Sequence, residues 1–272
     1  MLQYSVVISD GTFPCDTAPI QGTLGDCFSR AREAGFDAVQ LTARKPSELR
    51  ADELRALMDA YGLRITAIAT GRMYSADRLS MGSSDEGNRL RCVDGLCRFA
   101  DLSAQLGRPA VIIGTVRGRL RDAVSATAYY AQFERSVREL AAYCEKLGVP
   151  VILEAIDRFE ADAYCDPEEV RRFVERVGSP ALSMYLDTLH LHNEGFRVAD
   201  AIRAYGRHSR QIDLGGEGHS ALAQSKLDFK DIAAAVRESG FDGVLNLEHK
   251  PSPPDGAAKS LAYFRSLLSV TG

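Results

Sequence analysis

Residues 151–160 read Val151-Ile-Leu-Glu-Ala-Ile-Asp-Arg-Phe-Glu160, and the order of apolar and charged residues in them decides the fold. Val151, Ile152 and Leu153 form an unbroken apolar run, the pattern of a parallel strand covered on both faces. The run follows Gly148-Val-Pro150, a helix-ending turn, and passes straight into Glu154, Asp157, Arg158 and Glu160. The pattern recurs in Met184-Tyr-Leu-Asp187, Arg210-Gln-Ile-Asp213 and Val244-Leu-Asn-Leu-Glu248. Four apolar strands that each end in an oxygen-bearing side chain point to one shared site at the strands' C-terminal ends.

The flanking sequence supplies the remaining strands and helices. Strands are expected at Tyr4–Ile8, Ala38–Leu41, Leu63–Ala69, Ala110–Ile113, Val151–Leu153, Ala181–Leu186, Gln211–Leu214 and Gly243–Leu247. Between and after them the 3.6-residue period predicts helices over Leu24–Glu33, Ser47–Tyr61 with Ser47 as N-cap, Ser84–Leu106, Ala123–Leu147, Asp166–Val177, Val198–Tyr205, Phe229–Ser239 and Gly256–Leu268. Asp166-Pro-Glu-Glu supplies a cap, a proline at the first helical position and two carboxylates at the positive end of the helix dipole. No linker or low-complexity tract interrupts the eight units, so residues 1–272 read as one domain. Eight β-α units close into a (β/α)8 TIM barrel; a doubly wound open sheet is the competitor. Ser9-Asp-Gly-Thr-Phe-Pro14 lacks the glycine pattern of a dinucleotide turn, which favours the barrel. In a barrel the C-terminal strand ends hold the active site.

Composition removes several classes of function. Of 272 residues, 45% are hydrophobic and 26% charged, and the net charge is −4, so nothing electrostatic favours a nucleic acid or a membrane surface. The six cysteines form no Cys-x-x-Cys pair and read as reduced thiols of a cytoplasmic protein. The start, Met1-Leu-Gln-Tyr-Ser-Val-Val-Ile, is too short and uncharged for a signal peptide, and no apolar run is long enough to span a bilayer.

Glu154, Asp187, Gln211 and Glu248 end neighbouring strands. Three carboxylates converging on one spot repel unless a cation lies between them, and an all-oxygen set with a carboxamide suits Mg²⁺ or Mn²⁺, with Co²⁺ also compatible. The alternative is that each acid caps the next helix. Asp187-Thr-Leu-His190-Leu-His192 adds a histidine three positions past a ligand, and His190 is expected to contact substrate. Arg158 and Glu160 are substrate contacts at a barrel mouth or an exposed ion pair. Arg117 and Arg119 clamp hydroxyls or a phosphate, or are solvated charges. Gly215-Gly-Glu-Gly-His219 matches a phosphate loop only loosely, and His219 is a further candidate to line the site.

Leu153-Glu-Ala-Ile-Asp-Arg-Phe-Glu160 resembles the Glu-x-x-Asn-Arg-x-Glu stretch of ketose 3-epimerases of the D-tagatose 3-epimerase type. Asp187-Thr-x-His190 resembles the metal-Asp and substrate-His motif of the wider xylose isomerase-like TIM-barrel family, and the similarity runs through all eight units. The resemblance implies that Glu154 and Glu248 are both metal ligands and the acid/base pair, that Asp187 is a ligand, and that His190 and Glu160 touch substrate. Two positions depart from the epimerases. Gln211 stands where they supply a histidine, as in hydroxypyruvate isomerases, and Glu217 stands where they carry an arginine. Asp157 in place of Asn is a smaller change.

The implied chemistry is proton abstraction next to a carbonyl through a metal-stabilised enediolate. Return of the proton to the opposite face is epimerisation of a ketose. Return to the neighbouring carbon is isomerisation, as for hydroxypyruvate, and loss of a β-hydroxyl is dehydration, as for an inosose. The partner is a small sugar or keto-sugar, with homo-oligomerisation compatible. The endonuclease branch of the same superfamily relies on many histidines, whereas this chain has five, none before position 190.

Overall fold

The computed structural model describes residues 2–10, 15–252 and 255–269. Strand β1 is Gln3–Asp10, and a three-residue strand β2 (Ile20–Gly22) follows before helix α1 (Leu24–Glu33). Then come β3 (Ala38–Thr42), α2 (Ala51–Tyr61), β4 (Arg64–Ala69), α3 (Arg72–Asp77), α4 (Glu86–Gln105), β5 (Ala110–Ile113) and α5 (Ala126–Leu147). The second half runs β6 (Val151–Glu154), α6 (Pro167–Val177), β7 (Leu182–Asp187), α7 (Thr188–Asn193), α8 (Val198–Tyr205), β8 (Ser209–Leu214), α9 (Phe229–Glu238), β9 (Val244–Leu247) and α10 (Gly256–Ser269).

The sheet order is β2-β1-β3-β4-β5-β6-β7-β8-β9, and β1 also pairs with β9, which closes eight strands into the expected (β/α)8 barrel. The closing register sets Gln3 beside Val244 and Val6 beside Leu247, in parallel. β2 is a short parallel addition at the end of β1, from Ile8 beside Ile20 to Asp10 beside Gly22. Of Ser9-Asp-Gly-Thr-Phe-Pro14, positions 11–14 lie outside the described residues.

By packing, the chain divides into two compact units, one of Met1–Leu41, Ala56–Thr66 and Tyr185–Gly272, the other of Thr42–Arg55 and Ala67–Met184. In the first, side chains of strands that are not neighbours in the sheet meet in polar pairs: the Ser5 (β1) and Thr66 (β4) hydroxyls lie 2.9 Å apart, and Gln211 (β8) donates to Gln40 (β3) at 2.7 Å. In the second, α5 buries Phe133, Val137, Leu140, Ala141 and Cys144, one stripe at helical spacing. Phe133 meets Phe173 of α6 with ring centroids 5.4 Å apart. Arg89 of α4 is fully buried and bridges Glu86 and Glu139, each at 2.9 Å, so that α4 and α5 are joined by charge as well as by apolar contact.

Several boundaries differ from the sequence expectation. Ser47 is not an N-cap; it lies inside a single 3₁₀ turn, Pro46–Glu48, and α2 starts only at Ala51. Asp85 and Ser125 cap α4 and α5 through side-chain acceptance from Asn88 and Ala128 backbone N–H groups, so the two helices start two and three residues inside the expected starts. Asp166 caps α6 with Pro167 at its first position, as expected.

Candidate metal and proton-transfer site

In the first unit, β7 ends in Asp187, β8 carries Asp213, and Glu248 follows β9. One carboxylate oxygen from each of the three lies within 4.8 Å of the other two. Asp187 and Asp213 are 1% and 0% exposed, so water screens these charges poorly. At an effective dielectric near 20, three such anions repel by about 3 kcal/mol or more per pair. An oxygen-only donor set at this spacing fits a hard divalent cation, which converts the repulsion into attraction.

Asp187 Oδ1 accepts the backbone N–H groups of Leu189 (2.6 Å) and His190 (2.9 Å), which makes it the N-cap of α7. Capping and candidate ligation thus coincide at this residue. Because α7 starts directly at the strand end, His190 is held three residues beyond Asp187 and is 6% exposed. Glu248 accepts a 2.6 Å hydrogen bond from the Thr17 hydroxyl, in the segment after β1.

Gln211 lies two residues before Asp213, on the same face of β8 by strand alternation. Its amide nitrogen donates to Asp213 Oδ1 at 2.6 Å and to Gln40 at 2.7 Å. β8 thus brings a further carboxylate, Asp213, beside Asp187 and Glu248, hydrogen-bonded to the amide nitrogen of Gln211, the expected carboxamide ligand. Asp213 was visible in the sequence as the terminal residue of Arg210-Gln-Ile-Asp213, since β8 runs on past Gln211 to Leu214.

The glycine-rich turn after β8 serves the strands rather than a phosphate. A Cβ on Gly215 would collide with the Glu248 carbonyl oxygen, so only glycine lets the β8 end pass the β9 end this closely. The Thr188 hydroxyl also bonds the Gly215 carbonyl (2.7 Å) and accepts from its N–H (2.9 Å). His219 is half-buried at φ 59°, and its carbonyl accepts from Lys250 N–H at 2.8 Å. Burial works to raise the Glu217 pKa, but hydrogen bonds from the Ser225 hydroxyl and the Lys226 N–H outweigh it and hold the carboxyl below its ordinary value. Glu217 is thereby spent on closing its own loop. Burial pushes the pKa of His249, next to Glu248, below its ordinary value.

In the second unit, Glu154 closes β6 and is 7% exposed. Arg158, Phe159 and Glu160 are exposed on the following turn, which Asp157 caps by accepting from the N–H groups of Phe159 (2.9 Å) and Glu160 (3.2 Å). Arg119 reaches this turn and donates to the Phe159 carbonyl at 2.7 Å. Arg117 corrects the sequence expectation. It is fully buried, and its five N–H donors go to five backbone carbonyls: Gly114, Ala163, Tyr164, Ile113 and Glu154. No donor remains for a substrate.

Comparison with known proteins agrees with the fold. A family model described as xylose isomerase-like TIM barrel matches residues 28–267. The chain is 26% identical over 263 residues to an L-ribulose 3-epimerase of Mesorhizobium japonicum, covering 94% of this chain and 86% of that one. It is 23% identical over 248 residues to a putative hydroxypyruvate isomerase of Streptomyces coelicolor, covering 86% and 87%. A crystal structure of D-allulose 3-epimerase from Methylomonas sp. in complex with D-allulose superposes with a TM-score of 0.80 over 97% of both chains, at 17% identity.

Proposed function

The chain belongs to the xylose isomerase-like TIM-barrel family, and from that premise we propose that it is a divalent-metal-dependent epimerase of a ketose. The observation that carries this reading is the group of carboxylates Asp187 and Asp213, both buried, and Glu248, half-buried, with oxygens within 4.8 Å of one another. Glu154 is assigned as the fourth ligand. It is the last residue of its strand, as Asp187 is of β7, and C-terminal strand ends carry the active site of such barrels. Mn²⁺ or Mg²⁺ is the expected ion, with Co²⁺ able to replace it.

When bound, the ion supplies Lewis-acid stabilisation of the negative charge that develops on the substrate's carbonyl oxygen. The proton steps are assigned to Glu154 and Glu248, the two glutamates that end β6 and follow β9. One carboxylate takes the proton from the carbon next to the carbonyl, and the bond's electrons move toward the carbonyl oxygen. The other carboxylate delivers a proton to the opposite face, inverting that carbon. His190, Glu160, Arg158 and His219 are assigned to orient hydroxyls. The relatives named as 3-epimerases of ribulose and allulose support the same carbon as the reacting one.

A panel of ketoses, inososes and hydroxypyruvate, incubated with the protein before and after chelation and reloading with Mn²⁺, tests the proposal by chromatography of the products. An epimeric ketose formed only in the loaded protein is the expected result. A dehydrated inosose, or tartronate semialdehyde from hydroxypyruvate, with every ketose inert, would reassign the chemistry. The nuclease reading lacks a comparable basis, given the net charge of −4.

A further inference from the structure

Arg117 is an arginine with no exposed surface whose recorded partners are all carbonyl oxygens. Burying a guanidinium is costly unless every donor is satisfied. Here all five are, by acceptors from three places: the end of β5 (Ile113 at 3.3 Å and Gly114 at 3.1 Å), the last residue of β6 (Glu154), and the segment at Ala163 (3.1 Å) and Tyr164 (3.2 Å). The turn that carries Arg117 is thus fastened to the backbone of Glu154 itself. On the other side, the Glu154 carboxylate lies over Gly114: a Cβ there would come within 2.9 Å of Oε2.

We infer that Arg117 is a positioning residue for Glu154, fastening its backbone carbonyl to the β5 end while Gly114 leaves room for its carboxylate, so that the two together set where that carboxylate stands. The inference rests on the proposal that Glu154 is one of the two proton-transferring carboxylates. A planar fork of five donors suits this role and a lysine does not, because an ammonium offers three donors and cannot hold three backbone segments in one plane. None of the five carbonyls that Arg117 holds belongs to Glu248, whose carboxylate accepts from the Thr17 hydroxyl. Disturbing Arg117 or Gly114 should therefore harm one of the two proton transfers and spare the other.

The test uses Mn²⁺-loaded wild type, Arg117→Lys and Gly114→Ala, with both members of an epimeric ketose pair in D₂O. Each epimer exchanges its reacting hydrogen through the carboxylate on its own face. In both variants, exchange from one epimer should fall about 10-fold or more while the other changes less than about twofold, with KM little altered, as expected for misplacement of one catalytic group. Circular dichroism and the thermal midpoint verify folding; if Arg117→Lys fails to fold, Gly114→Ala carries the test. Equal slowing of both epimers, or none, in the folded variants would overturn the inference. A wild type that exchanges neither epimer of any ketose instead sinks the proposed function, and Mn²⁺ titration of the metal-free proteins by calorimetry then decides on Arg117. Binding about tenfold weaker in Gly114→Ala and Arg117→Lys than in wild type would keep the positioning role; equal affinity would end it.

Discussion

The Thr17 hydroxyl donates a 2.6 Å hydrogen bond to Glu248 Oε1 across 231 positions of sequence, tying the segment after β1 to the end of β9. The bond fixes one carboxylate oxygen of a proposed acid/base residue. A hydrogen bond to a charged group is worth about 1.5–3 kcal/mol, and if that is expressed in the transition state, Thr17→Val should lower kcat by about 10–100-fold. Thr17→Ser should keep most of the activity. Thr17 is only half-buried, so the thermal midpoint of the valine variant should move little. Steady-state kinetics of the three proteins checks this, and a fully active valine variant would show that the bond does not matter for turnover.

Asp213 and Gln211 separate cleanly by substitution. If Asp213 holds the proposed ion, Asp213→Asn should weaken Mn²⁺ binding by at least about 10–100-fold, since it removes a charge from the site. Gln211→Leu removes the amide that donates to Asp213 and should cost less. Asp213→His should raise affinity for Zn²⁺, Co²⁺ and Ni²⁺ relative to Mg²⁺, because imidazole is the softer donor. Calorimetric titration of each metal is the measurement; a wild-type Mn²⁺ affinity in Asp213→Asn would remove Asp213 from the site.

Local pattern was enough for the barrel, because eight short apolar runs and the helices between them are near-neighbour properties of the chain. It did not show α3 or α7, both six residues long and too short for a helical period to stand out. Asp187 could be recognised as an important strand end, but its double use as cap and candidate ligand depends on α7 starting without a linker. Asp213 was harder to single out because it depends on where β8 ends, and strand boundaries are poorly marked by composition. Arg117 could not be placed from sequence because two of its acceptors, Ala163 and Tyr164, lie 46 and 47 positions away.

Removing the metal should lower stability. A cation held at 100 times its Kd adds about 2.7 kcal/mol, which in a chain of this size raises the thermal midpoint on the order of 5–10 °C. Thermal melts with a chelator, and again after Mn²⁺ is restored, measure the difference. Superimposable melts would contradict a metal among Asp187, Asp213 and Glu248.

Acid should loosen the join between α4 and α5. Hydrogen bonds from Arg89 hold the Glu86 carboxyl down to about 2, from an ordinary 4.5. A depressed carboxyl stabilises the fold fully above its unfolded pKa, and the contribution fades as pH falls from about 4.5 through about 2. The drop in thermal midpoint between about pH 5 and about pH 2 should therefore be smaller in Glu86→Gln than in wild type. Because Glu86 is 45% exposed, added salt should shrink the gap. Matching pH profiles for the two proteins at low salt would mean that the pair contributes nothing.

The central claim is that two carboxylates exchange a proton at the carbon beside a ketose carbonyl. Proton NMR of a ketose incubated in D₂O with the Mn²⁺-loaded wild-type protein tests it most directly. The account predicts loss of the hydrogen signal at that carbon, replacement by deuterium, and growth of the epimer's signals, all abolished by Glu154→Gln together with Glu248→Gln. Undiminished hydrogen at that carbon in every ketose tried, with protein that demonstrably holds Mn²⁺, would contradict it.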